Sequence, residues 1–324
     1  MTTENEKIMT SFNENQNIYA KVTQKIIADL EKGDLTWRKA MQSEAQLYNT
    51  IHPLRSNGVP FTGINRLILA DSTAANGFLS PYWMTLRQAT DLNAMVGSDQ
   101  QSTTVVFADK VVTEAQGEDG EPQKQETTQL KEYSVYNAEQ IEGLEEFYYK
   151  KPDVLAKKSR LKNLEKFFKG TKVQLHYGEA ANYLVDSDRI EMPVVSSFSG
   201  PDAFYDVLCH LLVHWTQHET RLNRDFKKER NGNHLQAKEA LVAELGTCFL
   251  ASEFGFELQP EGDHLKHLQS WLHILKHDSK FIFIAASQAQ KAVDYLINLQ
   301  PQKEPKPQTA AAEPKPAAKQ NPAF

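Results

Sequence analysis

Apolar residues at Ile18, Val22, Ile26, Ile27 and Leu30 keep to one helix face, which predicts an amphipathic helix closed by Gly33. The dozen residues before it are polar and are expected to fray. Trp37 follows in a polar loop, and Asn57-Gly58 signals a turn before Val59-Pro60-Phe61. Helices are predicted over Asn65–Ala75, stopped by Asn76-Gly77, and over Thr85–Asn93. Thr103–Phe107 is short and β-branched, and reads as a strand with Tyr133–Asn137 as its partner. Between them, Thr113–Gln129 is acidic, Gln-rich and nearly free of apolar residues, and is expected to be extended or disordered.

Residues 143–170 are Lys-rich with aromatic clusters and are expected to open a second domain with a helix across Leu155–Phe168. Lys172–His176 and Tyr183–Val185 read as a pair of strands around Gly178, and Arg189–Pro193 as another. Pro201-Asp202 starts a helix that carries Phe204, Leu208, Leu211, Leu212 and Trp215. Lys238–Phe254, closed by Gly255, is a second strong helix, and Asp263–His277 and Lys280–Leu299 are two more. The fold class is therefore α+β: a small α+β domain over 15–142, with a flexible acidic excursion at 111–130, then a mainly helical domain over 143–300. Residues 1–14 and the Pro/Ala/Lys/Gln tail 301–324 are expected to be disordered.

Composition narrows the function classes. Of 324 residues, 40% are hydrophobic and 24% charged, with a mean hydropathy of −0.54, an ordinary balance for a globular protein. No run approaches the roughly 18 apolar residues of a membrane helix, and the polar start has no signal-peptide character, so a cytoplasmic location is expected. Cys209 and Cys248 sit in apolar helical contexts and read as buried free thiols; without Cys-x-x-Cys there is no structural zinc knuckle. The net charge is −6, and up to Ala108 nine Lys/Arg face ten Asp/Glu. Any nucleic-acid contact must come from a local patch.

His210-Leu211-Leu212-Val213-His214 carries the candidate chemistry. Two His four apart on a helix share a face and can share a metal ion. In H-E-x-x-H the Glu is the general base that activates zinc-bound water; here Leu211 holds that position and cannot take a proton. The bland alternative is two helix histidines with unrelated partners. Short strands, this helix and then a helix with Glu239 and Glu244 follow the plan of a small zincin, whose third ligand comes from a later helix.

Leu208–Arg224 resembles the signature of ArdC-type antirestriction proteins, roughly L-x-H-E-L-x-H-W-T-G-H-x-x-R-L-x-R, and Leu241–Gly246 is similar to the end of that family's E-E-L-V-A-E-L-G. Ser270-Trp271-Leu272 and Ala285–Tyr295 resemble its C-terminal helices. Pro60–Asn65, Thr103–Phe107 and Tyr136–Gln140 resemble its Y-x-G-I-N, T-x-V-V-F and F-N-x-E-Q elements. The resemblance spans most of the chain outside the acidic excursion and the tail. It implies a single-stranded-DNA-binding N-terminal domain, a zincin-like metallopeptidase C-terminal domain, and protection of incoming plasmid or phage DNA from host restriction.

The chain departs from that pattern. Leu211 replaces the catalytic Glu and Gln217 a Gly. Ala240 stands where the ligand Glu is expected, with Glu244 as the acid that steadies a ligand His. The candidate metal residues are then His210, His214 and Glu244, with zinc weak or absent; Glu239 is a second possible substitute by a helix shift. His218 is either a third nitrogen ligand or an element of the following turn. The family's basic loop is replaced by Gly97–Ser102, and W-x-x-P-W by Trp37–Met41. The remaining DNA-contact candidates are Trp37, Arg38, Lys39, Arg55, Phe61, Asn65, Arg66, Tyr82, Trp83 and Arg87, aromatics for stacking and cations for phosphates. Residues such as Trp83 and Phe61 are more often core than base stackers, and Arg66 and Arg87 also read as solvated helix residues. Two functions fit: a DNA-binding anti-restriction accessory with an inactive zincin-like domain, or a protein antagonist that docks a host restriction or defence protein in the former cleft.

Overall fold

The computed structural model describes residues 2–39, 52–116, 122–151, 155–226, 235–259 and 264–301. The expected tail lies outside these apart from its first residue, as do Ala40 and Met41 and the tip of the acidic excursion. The first helix, α1 (Thr2–Glu31), begins well before the predicted apolar face and runs through the segment expected to be frayed. Once Val22, Ile26, Ile27 and Leu30 are packed, adding turns to an existing helix costs little compared with starting one. Gly33 adopts φ +75° after its end, a left-handed turn that glycine enters without a Cβ penalty. A single turn, α2 (Thr36–Lys39), follows.

The N-terminal half is built on a four-stranded sheet of β1 (Leu54–Arg55), β2 (Tyr82–Met84), β4 (Thr103–Gln116) and β5 (Pro122–Asn137), in the order β1-β2-β5-β4. Only the β1–β2 pair is parallel. The helix α3 (Ile64–Asn76) covers one face, and α4 (Leu86–Asp91) starts with a capping box in which Thr85 and Gln88 satisfy each other's backbone N–H. A two-stranded pair, β3 (Met95–Val96) with β6 (Ile141–Glu142), and the short α5 (Glu146–Tyr149) complete it. The acidic excursion is not a loop. The β4–β5 ladder pairs continuously from Thr103↔Val135 to Gln116↔Pro122, along strands rich in Thr, Val and Tyr, residues that favour extended backbone.

The C-terminal half opens with α6 (Lys157–Thr171) and a three-stranded sheet of β7 (Gln174–Tyr177), β8 (Asn182–Leu184) and β9 (Arg189–Met192). The expected β7–β8 pair is replaced by the order β7-β9-β8, with β9 between them and parallel to β7. The alternation that buries Ile190 and Met192 explains its central place. Four helices follow: α7 (Pro201–Trp215), α8 (Leu235–Phe254), α9 (His264–His277) and α10 (Phe281–Asn298). In α8 every residue from Ala237 to Ser252 is buried, and it forms the axis on which α7, α9 and α10 pack. Gly246 allows this approach: a Cβ there would stand 2.8 Å from Cγ2 and 2.9 Å from Cγ1 of Val213 on α7.

The two halves share a core. Leu30, Leu35, Trp37, Ile64 and Leu67 belong to the same buried cluster as the faces of α7 and α8. The cluster under the β4–β5 sheet, with Phe61, Leu69, Trp83, Val105 and Val135, is separate. Among the described residues no helix is long and apolar enough to cross a membrane.

Candidate functional site

Two arginine–carboxylate clusters link the histidine-bearing helix α7 to α8, one toward each end of α7. At one end, Arg38 from α2 enters between Asp206 on α7 and Glu244 on α8. Its Nη1 donates to both carboxylate oxygens of Glu244 (3.0 and 3.1 Å), and Nη2 donates to Asp206 Oδ2 (2.5 Å) and to the Gln259 carbonyl (3.2 Å). At the other end, Arg224 grips Glu239 through Nε (3.0 Å) and Nη2 (2.6 Å), while Nη1 donates to Thr216 Oγ1 and Nη2 also to the Val213 carbonyl. Glu239 Oε1 also lies 3.4 Å from His214 Nδ1. Along α7, His210 lies four residues after Asp206, and along α8, Ala240 lies four residues before Glu244.

Electrostatics follows these pairings. Burial disfavours the charge on Arg38, but Glu244 and Asp206 overcome it and hold the guanidinium above its usual range. Burial dominates at Asp206 and pushes its carboxyl up to about 6 despite Arg38. Burial also opposes ionisation of Glu239, yet His214 and Arg224 together hold it below the usual carboxylate range. Both thiols, Cys209 and Cys248, are buried and free, and burial raises them well above their ordinary value.

His210 and His214 do meet, with ring centroids 4.9 Å apart. The other expected metal ligands are committed elsewhere: Glu244 is 1% exposed and bound to Arg38, and Glu239 is bound by Arg224. Ala240 offers no donor. His218 lies beyond the end of α7, and its Nδ1 accepts from the Thr220 backbone N–H (3.3 Å) and meets Thr220 Oγ1 (2.9 Å), so it orders the turn. Leu211 is buried at the general-base position. Among the described residues, the side chains do not fit the three-donor set of a zincin, and no three His, Cys, Asp or Glu side chains are grouped to hold an ion.

The DNA-contact candidates divide sharply. Arg38 is 3% exposed and joins the two halves; it cannot reach a phosphate. Arg66 is buried with its guanidinium 4.3 Å from the Phe249 ring and donates to the Phe249 carbonyl. Burial lowers it to about 10 although Glu253 and Asp294 favour the charge. Asn65 is buried, and its amide exchanges two hydrogen bonds with the backbone of Val106 (2.7 and 2.8 Å), closing the β4 edge. Trp37, Phe61 and Trp83 are core residues, and Tyr82 packs edge-on against Phe147 and Tyr148. Two cations stay at the surface. Arg87 has a side chain 91% exposed. Half-buried Arg55 lies 5.0 Å from the Phe107 ring and 5.5 Å from that of Phe61. Phe107 in turn meets exposed Tyr133 edge-on at 5.6 Å. The backbone of Lys39 closes α2, and its side chain lies outside the described residues.

Sequence reasoning missed the two arginine–carboxylate clusters. The one sequence signal for them was Arg224 at the end of the family-like stretch Leu208–Arg224. Nothing local connects Arg38 to residues 168 and 206 positions away.

These elements define the class: an α+β N-terminal half joined through a common core to a zincin-like C-terminal half. Residues 162–288 match the model of a zincin-like metallopeptidase family, and residues 16–136 match the N-terminal domain of anti-restriction factor ArdC. The fold is similar to crystal structures of the antirestriction protein ArdC from plasmid R388. The metal-free form has a TM-score of 0.73 at 35% identity and the Mn(II)-bound form 0.69 at 34%, each covering 87% of this chain and 97% of that one. The chain belongs to the ArdC antirestriction family. It is also 29% identical over 287 residues to the uncharacterized protein y4eC of Sinorhizobium fredii, covering 86% of this chain and 91% of that protein. DNA primase TraC of Escherichia coli is 30% identical over 294 residues, which span 85% of this chain but 19% of the primase.

Proposed function

We propose that this chain acts by binding single-stranded DNA as an anti-restriction accessory of a mobile element, and that its zincin-like half does no hydrolysis. The observation that carries the second part is buried Leu211 at the general-base position, together with buried Ala240 where a ligand carboxylate is expected. Loss of a general base alone costs about 10² to 10⁴ in rate, and here the carboxylate donor is missing too. What remains is a scaffold whose acids are neutralised by Arg38 and Arg224. The DNA-binding part is supported by kinship with ArdC and by the surface group of Arg55, Phe107 and Tyr133, a cation beside rings that can stack on unpaired bases.

Fluorescence anisotropy with a labelled 20-mer oligodeoxynucleotide, single-stranded and duplex, tests binding; the expected result is tighter, salt-sensitive binding of the single strand. Casein and denatured proteins, with zinc or Mn(II) added, test hydrolysis. Chelator-sensitive cleavage abolished by His210→Ala would refute the inactive zincin. Absence of DNA binding would favour the protein-antagonist function instead.

A further inference from the structure

The strongest charge asymmetry of the molecule lies in the C-terminal half. Residues 150–172 hold nine Lys and Arg against two Asp and Glu, in a chain of net charge −6. Helix α6 turns Arg160, Leu164 and Phe167 inward, which leaves Lys158, Lys162, Lys166 and Lys169 exposed. Spacings of four, four and three place them on one ridge about 16 Å long, and exposed Lys172 follows at the C-cap. Glu165 lies among them. Of the α6 lysines, only Lys157 has an ion pair among the described residues, with Asp202.

Aromatic rings flank this ridge. Phe168 on α6 stacks on Tyr205 at 5.6 Å and 22°. Tyr205 is raised to about 12 by burial first, with Glu165 and Tyr177 near enough to add to the effect. Tyr177, on edge strand β7, is 60% exposed. A row of exposed ammonium groups near an exposed ring is the combination that follows a phosphate backbone while offering a π-face to a base. An anionic membrane would need an apolar wedge, and the apolar side of α6 is already spent on the core.

The geometry points to α6 and β7 as a nucleic-acid track in the zincin-like half: Lys158, Lys162, Lys166 and Lys169 hold the phosphates of a single strand, and Tyr177 stacks on a base. This rests on the single-strand binding proposed above and places it on a surface separate from Arg55, Phe107 and Tyr133.

The test uses the full chain, a fluorescein-labelled dT20 and a series of NaCl concentrations. Lys162→Gln/Lys166→Gln/Lys169→Gln is expected to bind at least ten-fold more weakly at low salt, with a log–log salt slope shallower by about 2, since each phosphate contact on a single strand contributes about 0.7. Tyr177→Ala is expected to lose roughly five-fold or more in affinity with the slope unchanged. Arg55→Ala reports on the N-terminal surface in parallel, and melting curves verify that every variant is folded. If wild type binds and the triple variant keeps its affinity and slope, the track is wrong while the binding function stands. If wild type does not bind dT20, both fail. Loss of binding to phosphatidylserine vesicles in the triple variant, with dT20 binding intact, would assign the ridge to a membrane and overturn the track.

Discussion

Replacing Arg38 with Met separates a structural from a DNA-binding role for a residue that the sequence placed among phosphate contacts. Its guanidinium lies between two buried carboxylates, Glu244 and Asp206, and pairs with both. Met fills similar space without charge, leaving both acids unpaired where burial already pushes Asp206 up to about 6. Removing one partner of a buried ion pair costs about 3–5 kcal/mol. At about 2–4 °C per kcal/mol for a domain of roughly this size, the midpoint of thermal unfolding should fall by about 6–20 °C. Because α2 is anchored to the C-terminal half by this contact, proteolysis between the halves should accelerate as well. Adding Asp206→Asn and Glu244→Gln to Arg38→Met removes the stranded charges and should recover most of the loss. Circular dichroism melts of the three proteins suffice. A surface phosphate contact would behave oppositely, leaving the midpoint unchanged and reducing the DNA salt slope by about 0.7. An Arg38→Met protein melting within 2 °C of wild type, well below the roughly 6 °C minimum worked above, would refute the buried-clamp argument.

Leu211→Glu with Ala240→Glu should acquire a melting temperature that rises with free Zn²⁺ or Mn²⁺, as mass action on a native-state site requires, whereas each single variant buries an unmatched carboxylate and loses stability; a metal-indifferent double variant would show that the cleft no longer accommodates an ion. Glu239 and Glu253 are held low, the former by His214 and Arg224 and the latter by His52, against opposing burial. Their stabilisation is complete above the unfolded Glu value near 4.3 and is lost as pH falls through the lower folded values, so Arg224→Met should move the acid-unfolding midpoint upward, measured by circular dichroism from about pH 2.5 to 6. Gly246→Ala should cost about 1–3 kcal/mol by overpacking Val213, and Val213→Ala should partly relieve it in a urea titration of the double variant.

Local signals carried the elements a long way. The helix ends at Asn76-Gly77 and at Gly255 appear where the sequence put them, with Gly77 and Gly255 at φ +70° and +69°. The ends of α9 and α10 lie within a residue or two of expectation, because apolar periodicity and caps are properties of a few neighbouring residues. The strand Thr103–Phe107 was legible for the same reason; its extension into a 14-residue ribbon was not, since two-stranded pairing needs no buried face and so leaves no hydrophobic alternation to read. The place of β9 between β7 and β8 is likewise a choice among pairings that local composition does not distinguish.

For the site, the sequence by itself determined which atoms exist: two imidazoles one helical turn apart, a Leu where a base would stand, an Ala where a carboxylate would stand. The tertiary structure alone decided what the neighbouring charges do. Arg38, Asn65 and Arg66 look like surface residues because they are polar, and they are buried because partners 206, 41 and 183 residues away satisfy them. A buried charge is tolerable only with its counter-charge in place, and long-range pairing of that kind is written in the folding of the chain and not in any window of it.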